Sequence, residues 1–129
     1  MEQGYYLIDT NSVIDYLGKK LPEKGMKFLN NIIDDVPNLS IITQIEVISF
    51  TTSRENYEIL SSFVNDATIF NLTKEIVDMT VGIRMKFKTK LPDAIIAATS
   101  LAYNLTLISR NTADFKNIEG LNVINPHII

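Results

Sequence analysis

Short apolar runs that end abruptly in turn formers, each followed by residues at helical spacing, recur along this chain and narrow its fold to one class. Tyr5–Asp9, Leu39–Ile42, Ala67–Phe70, Leu105–Ser109 and Leu121–Ile124 are β-prone and apolar with no polar alternation. That is the pattern of strands buried on both faces. Val13–Leu17, Lys24–Ile33, Arg54–Asn65 and Lys74–Phe87 read as helices between them, and "LPDAIIAATSLAYN" opens another with Pro92 at its first position. Ile76, Val77, Val81, Ile83, Met85 and Phe87 form a broad apolar stripe on the fourth of these. Ala94, Ala97, Ala98 and Ser100 are small enough for close packing on a sheet. Strands alternating with helices predict an α/β, three-layer sandwich with a mostly parallel central sheet of four to five short strands.

At 129 residues the chain suits a single domain spanning 1–129 with a genuine core. It has no cysteine, which excludes disulfides, thiolate metal sites and a cysteine nucleophile. "MEQGYYLID" lacks the basic start and cleavage site of a signal peptide, and no apolar stretch is long enough to span a bilayer. A cytoplasmic protein with no membrane attachment is the expectation. The net charge of −3 argues against a basic nucleic-acid scaffold. It leaves room for an enzyme that meets nucleic acid through bound cations, because those offset a local acidic cluster.

Right-handed βαβ connections bring strand C-termini and helix N-termini to one edge of the sheet, where open α/β folds bind ligands. Four carboxylates fall there. Asp9 ends the first strand in "YLIDTNSVIDYL", and Glu46 stands in the first turn after the second strand in "TQIEVISF". Asp93 opens the helix before the fourth strand, and Asp114 follows that strand in "SRNTADF". Each alone has a local explanation. "TQIE" matches a capping box, with Thr43 as cap; Asp93 complements a helix dipole; Asp9 and Asp114 suit caps or turns. Together they repel one another, which a fold tolerates only through protonation or a cation. Oxygen ligands without His or Cys suit Mg²⁺ or Mn²⁺, and such a site performs phosphoryl chemistry.

Those motifs, with "KLPDAIIAATSLAYNLTLISRNTADFKNIEGLNVINP", resemble a PIN-domain ribonuclease over essentially the whole chain, and most nearly the VapC-like toxin of a VapBC pair. The resemblance implies a parallel sheet between helices and an acidic site of Asp9, Glu46, Asp93 and Asp114 holding Mg²⁺ or Mn²⁺. It further implies endoribonuclease activity, a homodimer, and an antitoxin that lays a tail across the site. Some family members carry the fourth acid earlier in the last loop, where this chain has Asn111; the role is assigned to Asp114. Asp9 and Asp93 are the expected principal ligands.

Thr10, Asn11 and Ser109 are short polar groups suited to bonding metal waters or a phosphate; capping for Asn11 and a turn bond for Ser109 compete with that. Arg110 has the planar fork to grip an RNA phosphate. Arg84, Lys86, Lys88 and Lys90 offer an RNA path or a solvated helix end. Asp15, Glu23, Asp34, Asp35, Asp66 and Asp78 are expected to face water, and His127 to be a surface residue. Tyr5, Tyr6 and Phe87 are expected in the core or an interface. Phe28, Ile32 and Ile33, or Tyr57, Leu60 and Phe63, are expected to form an antitoxin groove or dimer contact. A haloacid-dehalogenase-like phosphatase needs a second Asp where Asn11 stands, and a receiver domain needs an Asp after the third strand, where "NLTK" stands. A housekeeping PIN nuclease and a non-catalytic partner-binding domain of the same fold remain the alternatives.

Overall fold

The computed structural model describes residues 5–33 and 36–129. Its elements run β1 (Tyr6–Ile8), α1 (Thr10–Leu17), α2 (Glu23–Ile33), β2 (Asn38–Ser40), α3 (Ile41–Ile48), α4 (Arg54–Asp66) and β3 (Thr68–Phe70). There follow α5 (Lys74–Lys86), α6 (Leu91–Ala102), β4 (Thr106–Ile108), α7 (Thr112–Phe115) and β5 (Val123–Ile124). The five strands form one sheet in the order β3-β2-β1-β4-β5, every neighbouring pair parallel.

Successive residues of a strand point to opposite faces, so each short strand feeds both layers. On one side Leu7 and Leu107 pack with Ile76, Ile83, Ala94, Ala97 and Ala98 of α5 and α6. On the other, Ile8, Leu39 and Ile108 pack with Val13, Leu29, Val47, Leu60 and Val64 of α1 to α4. The small residues of α6 are fully buried, as close approach to the sheet requires. The expected three-layer arrangement is the observed one.

Several local expectations are corrected. The second strand stops at Ser40, whose hydroxyl accepts from the Ile42 amide and caps α3. Ile41 and Ile42 are therefore helical, Thr43 is a buried helix residue rather than the cap, and Glu46 falls in the second turn. The α5 stripe is split: Ile76 and Ile83 are buried, whereas Val77, Val81 and Met85 are exposed. Thr80 takes the intervening buried place by donating its hydroxyl to the Ile76 carbonyl. Tyr5 is exposed, while Tyr6 packs edge-on against Phe28. Phe28, Ile32, Ile33 and Phe63 pack against the α1–α4 core, and Leu60 is part of it.

Asp15 is the plainest reversal. It is buried, because Arg110 and His127 both reach its Oδ2, and His127 is half-buried in consequence. Glu23, Asp66 and Asp78 are exposed as expected, and Asp34 and Asp35 lie outside the described residues.

Candidate functional site

The chain lays down β1, β2 and β3 in one direction across the sheet, then returns to place β4 and β5 on the other side of β1. That reversal leaves a crevice at the carboxyl ends of β1 and β4, where connections diverge and a ligand can enter. Tyr6, Leu7 and Ile8 pair with Thr106, Leu107 and Ile108, so Asp9 and Ser109 leave the sheet side by side.

Asp9 is buried beneath this crevice and caps α1, its Oδ1 accepting from the Ser12 amide at 2.9 Å. Burial drives its carboxyl above the ordinary carboxylate value; contacts with Ser109 and Ser12, and the charge of Arg110, only partly offset that. The Ser12 hydroxyl is itself buried and completes no hydrogen bond of ordinary geometry among the described residues. Asp93, half-buried in the first turn of α6, is also raised: first by burial, then by the charges of Asp114, Asp9 and Glu46, against a lowering by Lys90. Three carboxylates from elsewhere in the chain thus act on this one.

Glu46 reaches the same place from α3, its Oε1 taking a 2.5 Å hydrogen bond from the Thr10 hydroxyl. Thr10 Oγ1 also lies 3.3 Å from Thr43 Oγ1. The sequence-level cap pair of Thr43 and Glu46 is therefore replaced by a polar link between α1 and α3. Asp9, Thr10, Asn11, Glu46, Asp93 and Asn111 line one cavity of about 230 Å³, with Ile14, Ile96 and Phe50 as apolar walls. Asp114 is not in that lining; it is exposed on α7, close enough for its charge to act on Asp93. Asn111 occupies the wall instead, its amide tied to the Ser109 hydroxyl at 3.0 Å. Ser109 is fully buried.

Arg110 is held in place by Asp15: its Nη1 is 3.0 Å from Asp15 Oδ2. Lys90 is exposed at the start of α6 and acts on Asp93; Lys86 lies 5.8 Å from the Phe87 ring centroid. Sequence reasoning missed Ser12, Thr43 and Asp15. A serine three residues after a candidate cap was a usable signal for the first of these; the others depend on partners far away in the chain.

The donor set fits a hard divalent cation: all oxygen, rich in carboxylate, with Asp9 held above its ordinary pKa by burial and Asp93 by burial and then by its carboxylate neighbours. Among the described residues no three Asp, Glu, His or Cys side chains are close enough to enclose an ion by themselves. An open arrangement suits a hydrated divalent cation that keeps several waters and takes one or two direct carboxylates. A second groove of about 510 Å³, part apolar and part polar, adjoins the acidic cavity, sharing Ile14 and Phe50 with it; Leu17, Ile59 and Leu60 line it together with Lys19, Lys20 and Asn56. No described helix is long and apolar enough to cross a membrane.

Comparison with known proteins agrees with this fold. A toxin–antitoxin complex from Klebsiella pneumoniae contains a chain 32% identical to this one, the match covering 96% of this chain and 99% of that one at a TM-score of 0.78. The DNA-bound VapBC complex of Salmonella typhimurium matches at 20% identity over 94% and 97% of the two chains, with a TM-score of 0.80. VapBC2 of Rickettsia felis, bound to a promoter fragment, matches at 21% identity over 93% and 97%, with a TM-score of 0.78. No curated protein matches the chain significantly. The family model of the PIN domain matches residues 6–121, and by that match, over a fold whose sheet edge gathers its carboxylates, the chain belongs to the PIN-domain family.

Proposed function

We propose that this protein is a divalent-metal-dependent endoribonuclease that hydrolyses RNA phosphodiester bonds. In this reading it is the one-domain toxin of a cytoplasmic toxin–antitoxin pair and works as a homodimer. The observation that carries it is that Asp9, Glu46 and Asp93, from three separate segments, line one cavity at the carboxyl ends of β1 and β4, with Asp114 of α7 near enough for its charge to act on Asp93. The 32% identity to a chain of a toxin–antitoxin complex supports the toxin half of the reading.

Asp9 and Asp93 would hold Mg²⁺ or Mn²⁺, with Glu46 and Asp114 completing its surroundings. Such an ion supplies positive charge against the phosphate and lowers the pKa of water near it. The rest falls to the chain. The Ser12 amide fixes the carboxylate of Asp9. Thr10 pins Oε1 of Glu46 and leaves its other oxygen to accept a hydrogen bond from the attacking water. The Ser109 hydroxyl holds the amide of Asn111, which keeps that loop against the cavity wall, and the amide side chains of Asn11 and Asn111 face the substrate phosphate. Ile14, Ile96 and Phe50 exclude bulk water from one side, which strengthens every charge interaction within. The antitoxin is an amphipathic segment whose apolar side lies in the groove from Ile14 to Leu60 and whose end reaches the acidic cavity.

The test is cleavage of a labelled single-stranded RNA in Mn²⁺, with single-stranded DNA alongside. Asp9→Asn and Asp93→Asn should lose cleavage while keeping the parental circular dichroism. Cleavage at the parental rate by either variant would overturn the assignment.

A further inference from the structure

We propose that Asp15 and His127 are positioning residues that hold Arg110 as a rigid contact for an RNA phosphate beside the acidic cavity. The inference rests on the nuclease reading above and goes beyond it to residues outside the acidic site.

Asp15 stands on α1 with its side chain 9% exposed. A carboxylate taken that far out of water is costly unless it is paired and hydrogen-bonded. Its partners come from remote places. Arg110 Nη1 lies 3.0 Å from Oδ2, across 95 positions of sequence, and His127 Nε2 lies 3.1 Å from the same oxygen, across 112. A carboxylate accepts only, so Nε2 is the donor in this contact. The histidine is itself fixed: its amide donates to Asn125 Oδ1 at 2.9 Å, and the preceding Pro126 is buried against Gly25 of α2. The C-terminal segment therefore braces the far side of Asp15, and Asp15 braces Arg110.

A pair serving only to neutralise a buried charge would bury both members. This one does not: the Arg110 side chain is 46% exposed. One nitrogen is engaged with Asp15, and among the described residues the other guanidinium N–H groups have no partner. Arginine has five donors in a planar fork, so it can keep one edge on a carboxylate and present another to a phosphate; a lysine ammonium cannot do both with the same geometry. The placement suits that task. Arg110 lies between Ser109, buried beside Asp9, and Asn111, which lines the cavity. Its charge is felt at Asp9. A guanidinium locked there meets a phosphate near the one being cut, and locking it beforehand avoids the loss of side-chain freedom that a loose arginine incurs on binding.

The test measures Kd for a short labelled single-stranded RNA on the Asp9→Asn background, where the RNA stays uncut, and steady-state cleavage on the otherwise parental chain in Mn²⁺. Arg110→Ala should raise Kd about tenfold, as expected for one charge-assisted contact. Asp15→Asn and His127→Ala should raise it in the same direction by smaller factors. The Asp15→Asn, Arg110→Ala double variant should bind no worse than Arg110→Ala alone, because both remove the same contact. Arg110→Lys should recover only part of the loss. In cleavage, the change should appear in KM rather than kcat. A Kd that is unchanged or tighter in Asp15→Asn would overturn the proposal, since Asp15 would then only mask a positive charge. Lower melting temperatures with parental Kd and KM would overturn it as well, leaving a structural pair. If Asp15→Asn fails to fold, Arg110→Ala and His127→Ala still decide: parental Kd in both refutes the inference. A parental chain that cuts no RNA brings down the nuclease reading. A parental chain that cuts, with variants of parental KM, brings down this inference alone.

Discussion

Alanine in place of Gly25 should lower stability, against the general rule for helices. Exchanging glycine for alanine within a helix is worth up to about 1 kcal/mol in favour of the folded state, and less in the first turn, where Gly25 stands. Here a Cβ would lie 2.0 Å from the carbonyl oxygen of Pro126, where 3.0 Å is the closest approach real Cβ atoms make. The obstacle is backbone, so the C-terminal segment must retreat by about 1 Å. Such overpacking typically costs about 1–3 kcal/mol. The retreat also draws His127 from Asp15, giving up a hydrogen bond worth about 1 kcal/mol net. Steric cost and lost bond outweigh the helix gain, leaving a net destabilisation of about 1–3 kcal/mol. For a chain of this length 1 kcal/mol shifts the melting temperature by about 4 °C, so Gly25→Ala should melt roughly 4–12 °C lower. Gly82 is the control. It stands within α5, a Cβ there would meet nothing within 4 Å, and Gly82→Ala should melt about 4 °C higher. Calorimetric melts of the metal-free parent and both variants in one buffer make the measurement. If Gly25→Ala melted with Gly82→Ala, at or above the parent, the reasoning about the C-terminal segment would be refuted, and its bracing of Asp15 with it.

Asp9→Asn should raise the metal-free melting temperature, because asparagine still accepts from the Ser12 amide and carries no buried charge. The pH dependence has a definite sign. Asp9 and Asp93 have folded pKa values above their ordinary 3.8, so the folded state holds protons the unfolded state has lost. Stability from these groups is present at pH below 3.8 and is lost as pH rises through the raised values; the advantage of Asp9→Asn should therefore grow from acid towards neutral pH in denaturant titrations. Mn²⁺ at about 100 times its Kd should stabilise the parent by about 2.7 kcal/mol, reversibly with chelator and far less in Asp93→Asn, as thermal shift will show. Thr10→Val frees Glu46 without changing side-chain size, and should lower kcat about tenfold while moving the melting temperature by only a few degrees; an unchanged kcat would remove Thr10 from the site.

The convergence of acids was legible because two local facts and one rule of handedness suffice for it. Asp9 ends an apolar run and Asp93 follows a helix-opening proline, and right-handed crossovers bring such ends to a single edge. Element boundaries were less legible. Ser40 competes with Thr43 for the cap of α3, and the pattern "LSII" does not say whether Ile41 and Ile42 continue the strand. Exposure along α5 was not legible either: Val77, Val81 and Met85 satisfy the apolar spacing, yet the face of α5 that meets the core carries Ile76, Thr80 and Ile83.

By itself the sequence determined the fold class, the parallel sheet and the acids that end its strands or begin its helices, because hydrophobic periodicity and turn chemistry act over a few residues. The tertiary structure alone decided that β4 lies beside β1, that Thr10 holds Glu46, and that Asp15 is buried between Arg110 and His127. Those pairings span 36 to 112 positions of sequence, and the surroundings of a side chain at that range depend on how whole layers pack, which no local pattern encodes.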